Sequence, residues 1–167
     1  MNPFDPRAAL LAKHAQHVVL VHFPIALFLT GAAFDAAARW KKQSPRSVTL
    51  AAAARFNILA AAISVLPTLA TGIAAWQWQL GGHKLKGMLL LHAALGSASG
   101  FLICLVAWIL WRHKGSDLVV SGSEQARSAL PASVLPGYYL PLELLTVTVV
   151  ALTAHIGGFL SGVNAPG

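Results

Sequence analysis

The stretch MLLLHAALGSASGFLICLVAWILW, residues 88–111, decides the fold class because it contains no Asp, Glu, Lys or Arg. It is longer than the roughly 20 apolar residues that an α-helix needs to cross the hydrocarbon core of a bilayer. Basic residues flank it, with Lys86 before it and Arg112 after it. The stretch therefore predicts a membrane-spanning helix.

The composition of the whole chain has the same character. Of its 167 residues, 56% are hydrophobic and only 10% are charged, whereas soluble domains carry roughly 25% charged residues. This composition excludes a soluble globular domain, which needs a polar surface, and a disordered chain, which is depleted in apolar residues. We attribute the net charge of +7 to loop residues that orient a membrane protein, and we expect no nucleic-acid binding.

Four spans are predicted, at about residues 18–38, 50–76, 88–111 and 138–160. The connections between them are short, so neighbouring helices should run antiparallel. We therefore predict an all-α fold: an up-down-up-down four-helix bundle that forms one membrane domain over residues 1–167.

The basic residues predict the orientation of the bundle. Eight of the 12 Lys and Arg residues lie near the first and third connections, and they are Arg39, Lys41, Lys42, Arg46, Arg55, Arg112, Lys114 and Arg127. Because cytoplasmic loops are enriched in Lys and Arg, both termini and the second connection should lie on the non-cytoplasmic side. Asp35 and Arg39 are four residues apart and predict a salt bridge, and Glu143 is expected to pair with a basic residue such as Arg55.

Histidines are the most informative polar residues in the chain. Six of the seven fall on the predicted outer side, and they are His14, His17, His22, His83, His92 and His155. With a rise of about 1.5 Å per residue, His22, His92 and His155 each lie roughly 6–8 Å below the outer boundary. Ionisable residues inside a membrane are costly and commonly functional, although any one of them can serve instead as an interhelical hydrogen-bond donor.

Two kinds of metal site compete for this histidine layer. A bare zinc or copper ion prefers about four ligands, often including Cys or carboxylate, and none of these lies near the layer. A haem needs only axial imidazoles and small residues beside the ring, such as Gly72 and Gly96. Lys84 and Lys86 are placed to neutralise its propionates. The chain has no CxxCH motif, so a covalent c-type haem is excluded.

The stretch HAQHVVLVHFPIAL, residues 14–27, resembles the signature of a family of uncharacterised bacterial four-helix membrane proteins. Members open with two His-Pro steps followed by a Val-His-Phe-Pro-Ile core. The resemblance continues through FDAAAR (residues 34–39), Thr71-Gly72, His92 and GGFLSGV (residues 157–163). It covers nearly the whole chain, although the prolines that normally follow the histidines at 14 and 17 are missing here.

That family is grouped with the cytochrome b-like four-helix proteins, and some relatives are fused to c-type haem domains. The resemblance implies a bacterial inner-membrane protein that binds haem b and transfers electrons. On the matching positions it implies His22 and His92 as ligands, followed by His17.

Our leading hypothesis is a membrane-bound b-type cytochrome-like electron-transfer protein or subunit, with one or two haems. Two of His22, His92 and His155 are the expected iron ligands, with His17 and His83 as secondary candidates, and no catalytic residue is expected. Besides membrane lipid, the expected partners are a quinol, a c-type cytochrome or another redox subunit.

Two alternatives remain open. The first is a protein that binds copper or zinc at the outer cluster of His14, His17, His22 and His83. The second is a cofactor-free structural subunit of a respiratory or photosynthetic complex.

Overall fold

The computed structural model describes residues 13–41, 44, 46–79, 81–113 and 135–161. Within these ranges all the regular structure is helical. The helices are α1 (Lys13–Trp40), α2 (Arg46–Gln79), α3 (Gly87–Arg112) and α4 (Tyr139–Leu160). All four are long and apolar enough to cross a membrane, which confirms the four predicted spans. Helix α1 begins five residues before its predicted span and ends two after it, and α2 begins four residues before its span and ends three after it.

The sequence favours helix within the spans and interrupts it between them. Helix α2 is rich in Ala and Leu, which are among the best helix formers. Gly81 and Gly82 have φ angles of 60° and 65°, a region that glycine enters without steric cost. Trp76 closes this connection by two hydrogen bonds, since its carbonyl accepts from the Gly82 N–H at 3.1 Å and its Nε1 donates to the His83 carbonyl at 2.9 Å.

The helices associate as two pairs. Helix α1 packs along α2 and α3 packs along α4, while α2–α3 and α1–α4 contacts join the pairs. Gly31 allows the close approach of α1 to α2, because a Cβ at this position would lie 2.7 Å from Ile58 Cγ1 and 3.2 Å from the Ala54 carbonyl oxygen. Small residues at such contacts are typical of helix packing in membranes.

Pro24 lies inside α1 without ending it. Because proline has no N–H, the Leu20 carbonyl four residues earlier lacks its usual helical donor. The Thr68 hydroxyl of α2 takes that place, with Oγ1 lying 3.2 Å from the Leu20 carbonyl and 2.9 Å from the Ser64 carbonyl of its own helix. Such replacement matters in lipid, where no water satisfies a freed backbone group. Pro24 thereby ties α1 to α2.

The buried side chains occupy only one half of the molecule. They begin at Pro24 in α1, end at Thr68 in α2, begin at Ser99 in α3 and end at Thr153 in α4. We call this part the core half. It contains Phe28, Ile58, Val106, Tyr139 and Val150.

The rest of the helices forms what we call the histidine half, comprising residues 16–23, 69–78, 81–98 and 154–161. None of the side chains described in these four ranges is buried. Five histidines lie there, namely His17, His22, His83, His92 and His155. The histidines are thus found where the helices bury least of their surface against one another.

Candidate histidine site

His17 lies between α1 and α2, where its ring is half-buried. Its Nδ1 is 3.1 Å from the Thr68 carbonyl oxygen and 3.3 Å from Thr71 Oγ1. A proton on Nδ1 donated to the Thr68 carbonyl makes Nε2 the lone-pair nitrogen of the neutral ring. The ring packs on Gly72, where a Cβ would lie 3.0 Å from His17 Cε1. Glycine at this position therefore makes room for the imidazole.

His92 is placed in the same way between α3 and α4, and it is also half-buried. Its ring lies beside the Thr153 backbone and against Gly157, where a Cβ would lie 3.0 Å from His92 Cε1. Its Nδ1 is buried and has no hydrogen-bond partner among the residues that the structure describes. Buried polar atoms are nearly always paired, which makes His92 a candidate functional residue.

His22 and His155 are placed differently, because both side chains are exposed and both turn toward their own helix. His22 Nδ1 donates to the Val18 carbonyl of α1 at 2.6 Å. The His155 ring contacts Phe159 of α4 edge to face, with ring centroids 4.9 Å apart. Of the three expected iron ligands, only His92 lies in a contact between two helices.

The secondary candidates also differ in their surroundings. His83, Lys84 and Lys86 are all exposed in the connection between α2 and α3, where lysine side chains can reach an anionic group. Gly96 lies near α4, and a Cβ there would be 3.8 Å from Thr153 Cγ2. Its contact is with a threonine rather than with a histidine.

Within the described residues, no three His, Cys, Asp or Glu side chains come together as a group that could hold a metal ion. The expected layer of His22, His92 and His155 is therefore not gathered into such a group. The side chain of His14, which belongs to the expected copper or zinc cluster, lies outside the described residues.

Comparison with known protein families assigns the chain to one of them. A family model described as a predicted membrane protein (DUF2231) matches residues 13–164. The chain belongs to this family. The match runs from the first residue of α1 to beyond the end of α4 and supports the membrane assignment. No curated protein and no solved structure matches the chain significantly.

Two threonines of the histidine site were missed in the sequence. Thr68 and Thr153 lie four residues before Gly72 and Gly157, in the segments TLATG (residues 68–72) and TAHIG (residues 153–157). The sequence signal for these threonines is a Thr-x-x-x-Gly pattern that occurs twice, once late in α2 and once late in α4. It places the threonine and the glycine on the same face of a helix, one turn apart.

A second polar group lies in the core half, between α1 and α4. Arg39 Nε donates to Asp35 Oδ2 at 2.6 Å, which confirms the salt bridge predicted from their spacing. The Arg39 guanidinium also lies 5.4 Å from the centroid of the Tyr139 ring.

Glu143 is part of the same group, and its basic neighbour is Arg39 rather than Arg55. Its Oε1 accepts from the Tyr139 hydroxyl at 3.4 Å, and its carboxyl lies against Asp35. Arg55 Nη2 instead donates to the Leu110 carbonyl at 2.9 Å, so this arginine joins α2 to α3. The polar groups of the core half therefore connect the two helix pairs.

Proposed function

We propose that this protein is a membrane-embedded electron-transfer protein, or the subunit of one, that binds haem b in the histidine half with His92 as an axial ligand. The observation that carries the proposal is the half-buried His92 imidazole held between α3 and α4, beside the Thr153 backbone, with a buried Nδ1 that makes no hydrogen bond of standard geometry with any residue that the structure describes. An unsatisfied buried polar atom costs about 1–3 kcal/mol, and ionisable residues inside a membrane are commonly functional.

The donors available in the histidine half fit a haem. The only acidic side chains in the described residues, Asp35 and Glu143, lie in the core half, and so does Cys104. Imidazole is thus the metal-binding group that the histidine half offers, and haem iron accepts one or two imidazoles. None of the described side chains in this half is buried. The helices therefore pack less tightly against one another there, which is consistent with a bound group between them.

Haem b supplies a one-electron ferric/ferrous couple when it is bound. In our proposal the His92 imidazole holds the iron, and the apolar helices around it exclude water, which helps to set the potential. Lys84 and Lys86 lie in the exposed connection and neutralise the propionates. A quinol, a c-type cytochrome or another redox subunit exchanges the electron.

We further infer an up-down-up-down arrangement with the histidine half facing the non-cytoplasmic side of a bacterial inner membrane. Contacts near opposite ends of the helices support this arrangement. His17, early in α1, meets Gly72, late in α2, whereas Gly31, later in α1, meets Ile58, earlier in α2. The positive-inside rule then assigns the sides.

The full-length chain, expressed with added haem precursor and purified in detergent, tests the function. We expect a Soret band that shifts on dithionite reduction and a pyridine haemochrome spectrum of b type. The His92→Ala variant should lose this spectrum. His113→Ala is the matched control. His113 directly follows α3 and donates to the Ile109 carbonyl at 2.8 Å, far from the histidine half.

A colourless preparation from haem-supplemented cells would contradict the proposal. Stoichiometric copper or zinc by elemental analysis would then favour the metal-binding alternative. Absence of haem, copper and zinc would favour a structural subunit.

A further inference from the structure

The two helix pairs place their inward histidines at corresponding positions. In both pairs a histidine near the start of the first helix packs on a glycine near the end of the second. A Cβ added to Gly72 would lie 3.0 Å from His17 Cε1, and a Cβ added to Gly157 would lie 3.0 Å from His92 Cε1. In both cases Cε1, the carbon between the two ring nitrogens, is the ring atom nearest the glycine.

The threonine one turn before each glycine extends the correspondence. The Thr68 carbonyl oxygen lies 3.1 Å from His17 Nδ1, and the Thr153 backbone lies beside the His92 ring. Both threonines are the last buried residues among the described side chains of their helices. Each hydroxyl also contacts the helix that carries the histidine, through Leu20 O at 3.2 Å for Thr68 and through Ser99 Oγ at 3.0 Å for Thr153.

Contacts that join the two pairs are found in the core half. Arg55 reaches Leu110 O, Arg39 lies over Tyr139, and a Cβ on Gly100 would lie 3.0 Å from Val65 Cγ1. In the histidine half, by contrast, the two imidazoles are held by contacts within their own pairs. Each helix pair therefore places one imidazole, at a corresponding position, in the histidine half.

From this equivalence we propose that His17, and not His22 or His155, is the second axial ligand, so that one haem is shared between His17 and His92 and bridges the two helix pairs. This assignment rests on the proposed function. A ligating histidine is normally oriented by a hydrogen bond from its other ring nitrogen to a carbonyl or carboxylate, and the Thr68 carbonyl provides such an acceptor for His17. His22 Nδ1 also donates to a carbonyl, that of Val18 in its own helix. His22 and His155 are nevertheless exposed on single helices, whereas His17 is half-buried between two helices.

The test compares four variants of the full-length protein: His17→Ala, His92→Ala, His22→Ala and His155→Ala. Haem-to-protein ratio is measured by pyridine haemochrome, and spin state by absorption and electron paramagnetic resonance of the ferric protein. We expect a low-spin bis-imidazole signal in the wild type, corresponding to one haem per chain. His17→Ala and His92→Ala should each abolish that signal and weaken haem binding at least about tenfold. The His22 and His155 variants should keep it.

Each other result would overturn the assignment in a distinguishable way. If the wild-type protein takes up no haem, both the proposed function and the proposed ligand pair are wrong. If the wild type binds haem but His17→Ala keeps the low-spin signal, only the ligand pair is wrong. If His17→Ala and His92→Ala each remove half of the haem and their effects add, the two imidazoles serve separate haems. Circular dichroism of each variant checks that the helices are retained.

Discussion

At the scale of single residues, two glycines determine where the inward histidines can lie. At Gly72 and Gly157 a Cβ would lie 3.0 Å from an imidazole Cε1, so the ring would have to move by a few tenths of an ångström to admit a methyl group. Gly96 is the useful contrast, because a Cβ there would meet Thr153 Cγ2 at 3.8 Å, an ordinary van der Waals distance. The two kinds of position carry the same residue for different reasons.

We therefore expect Gly72→Ala and Gly157→Ala to destabilise the haem-free protein by about 1–3 kcal/mol each, the usual cost of overpacking. The free energy of unfolding in detergent, measured by titration with a denaturing detergent, is the readout. Gly96→Ala is the matched control and should change stability by less than about 1 kcal/mol. Equal stabilities for all three variants would mean that the histidine rings move away without cost.

At the scale of elements, α1 and α2 are joined through a proline. Pro24 deprives the Leu20 carbonyl of a donor within α1, and the Thr68 hydroxyl of α2 supplies one at 3.2 Å. The hydrogen bond also anchors the threonine whose backbone carbonyl faces His17 Nδ1. The hydrogen bond that Pro24 removes from α1 is thus replaced by a hydrogen bond between α1 and α2.

This interpretation predicts coupling between two substitutions. Thr68→Val should destabilise the protein by about 1 kcal/mol, the net value of a typical hydrogen bond. In a Pro24→Ala background the restored backbone N–H can serve the Leu20 carbonyl, so the same Thr68→Val change should cost less. A double-mutant cycle of unfolding free energies measures the difference. Strict additivity would show that the threonine does not compensate for the proline.

At the scale of the whole molecule, polarity is divided between the two halves. Asp35, Arg39 and Glu143 are concentrated in the core half, where they join the pairs, while five described histidines occupy the other half. Outward-facing residues such as Ile63, Leu66 and Phe101 are 72%, 69% and 68% exposed, which suits a lipid environment. In the proposed orientation, this division gives the two membrane faces different chemistry.

The proposed orientation can be tested with single cysteines in a Cys104→Ser background. Lys84 and Lys41 are both exposed, and they lie in the connections at the two ends of α2. A membrane-impermeant maleimide added to intact spheroplasts should label the Lys84→Cys variant. It should label the Lys41→Cys variant only after permeabilisation, because the histidine half should face outward. The reverse pattern would invert the orientation, and labelling of both in intact spheroplasts would contradict a single crossing by α2.

Much of the architecture follows from the sequence because it depends on properties local to a segment. Apolar length predicts the four spans, and a spacing of four residues predicts the Asp35–Arg39 salt bridge. Glu143 shows the limit of such reasoning. Its partners, Asp35 and Tyr139, depend on which face of α4 meets α1, and charge complementarity alone led to Arg55.

The sequence by itself determined that this is a membrane protein with four helices, since hydrophobic length and charge content are additive along the chain. Only the tertiary structure decided which histidines face a neighbouring helix. His17 and His22 are five residues apart and so point roughly 140° apart around α1. The rotation of α1 against α2, set by the Gly31 and Thr68 contacts, turns His17 toward Gly72 and leaves His22 exposed. That rotation is a property of two packed surfaces, which no single segment of sequence contains.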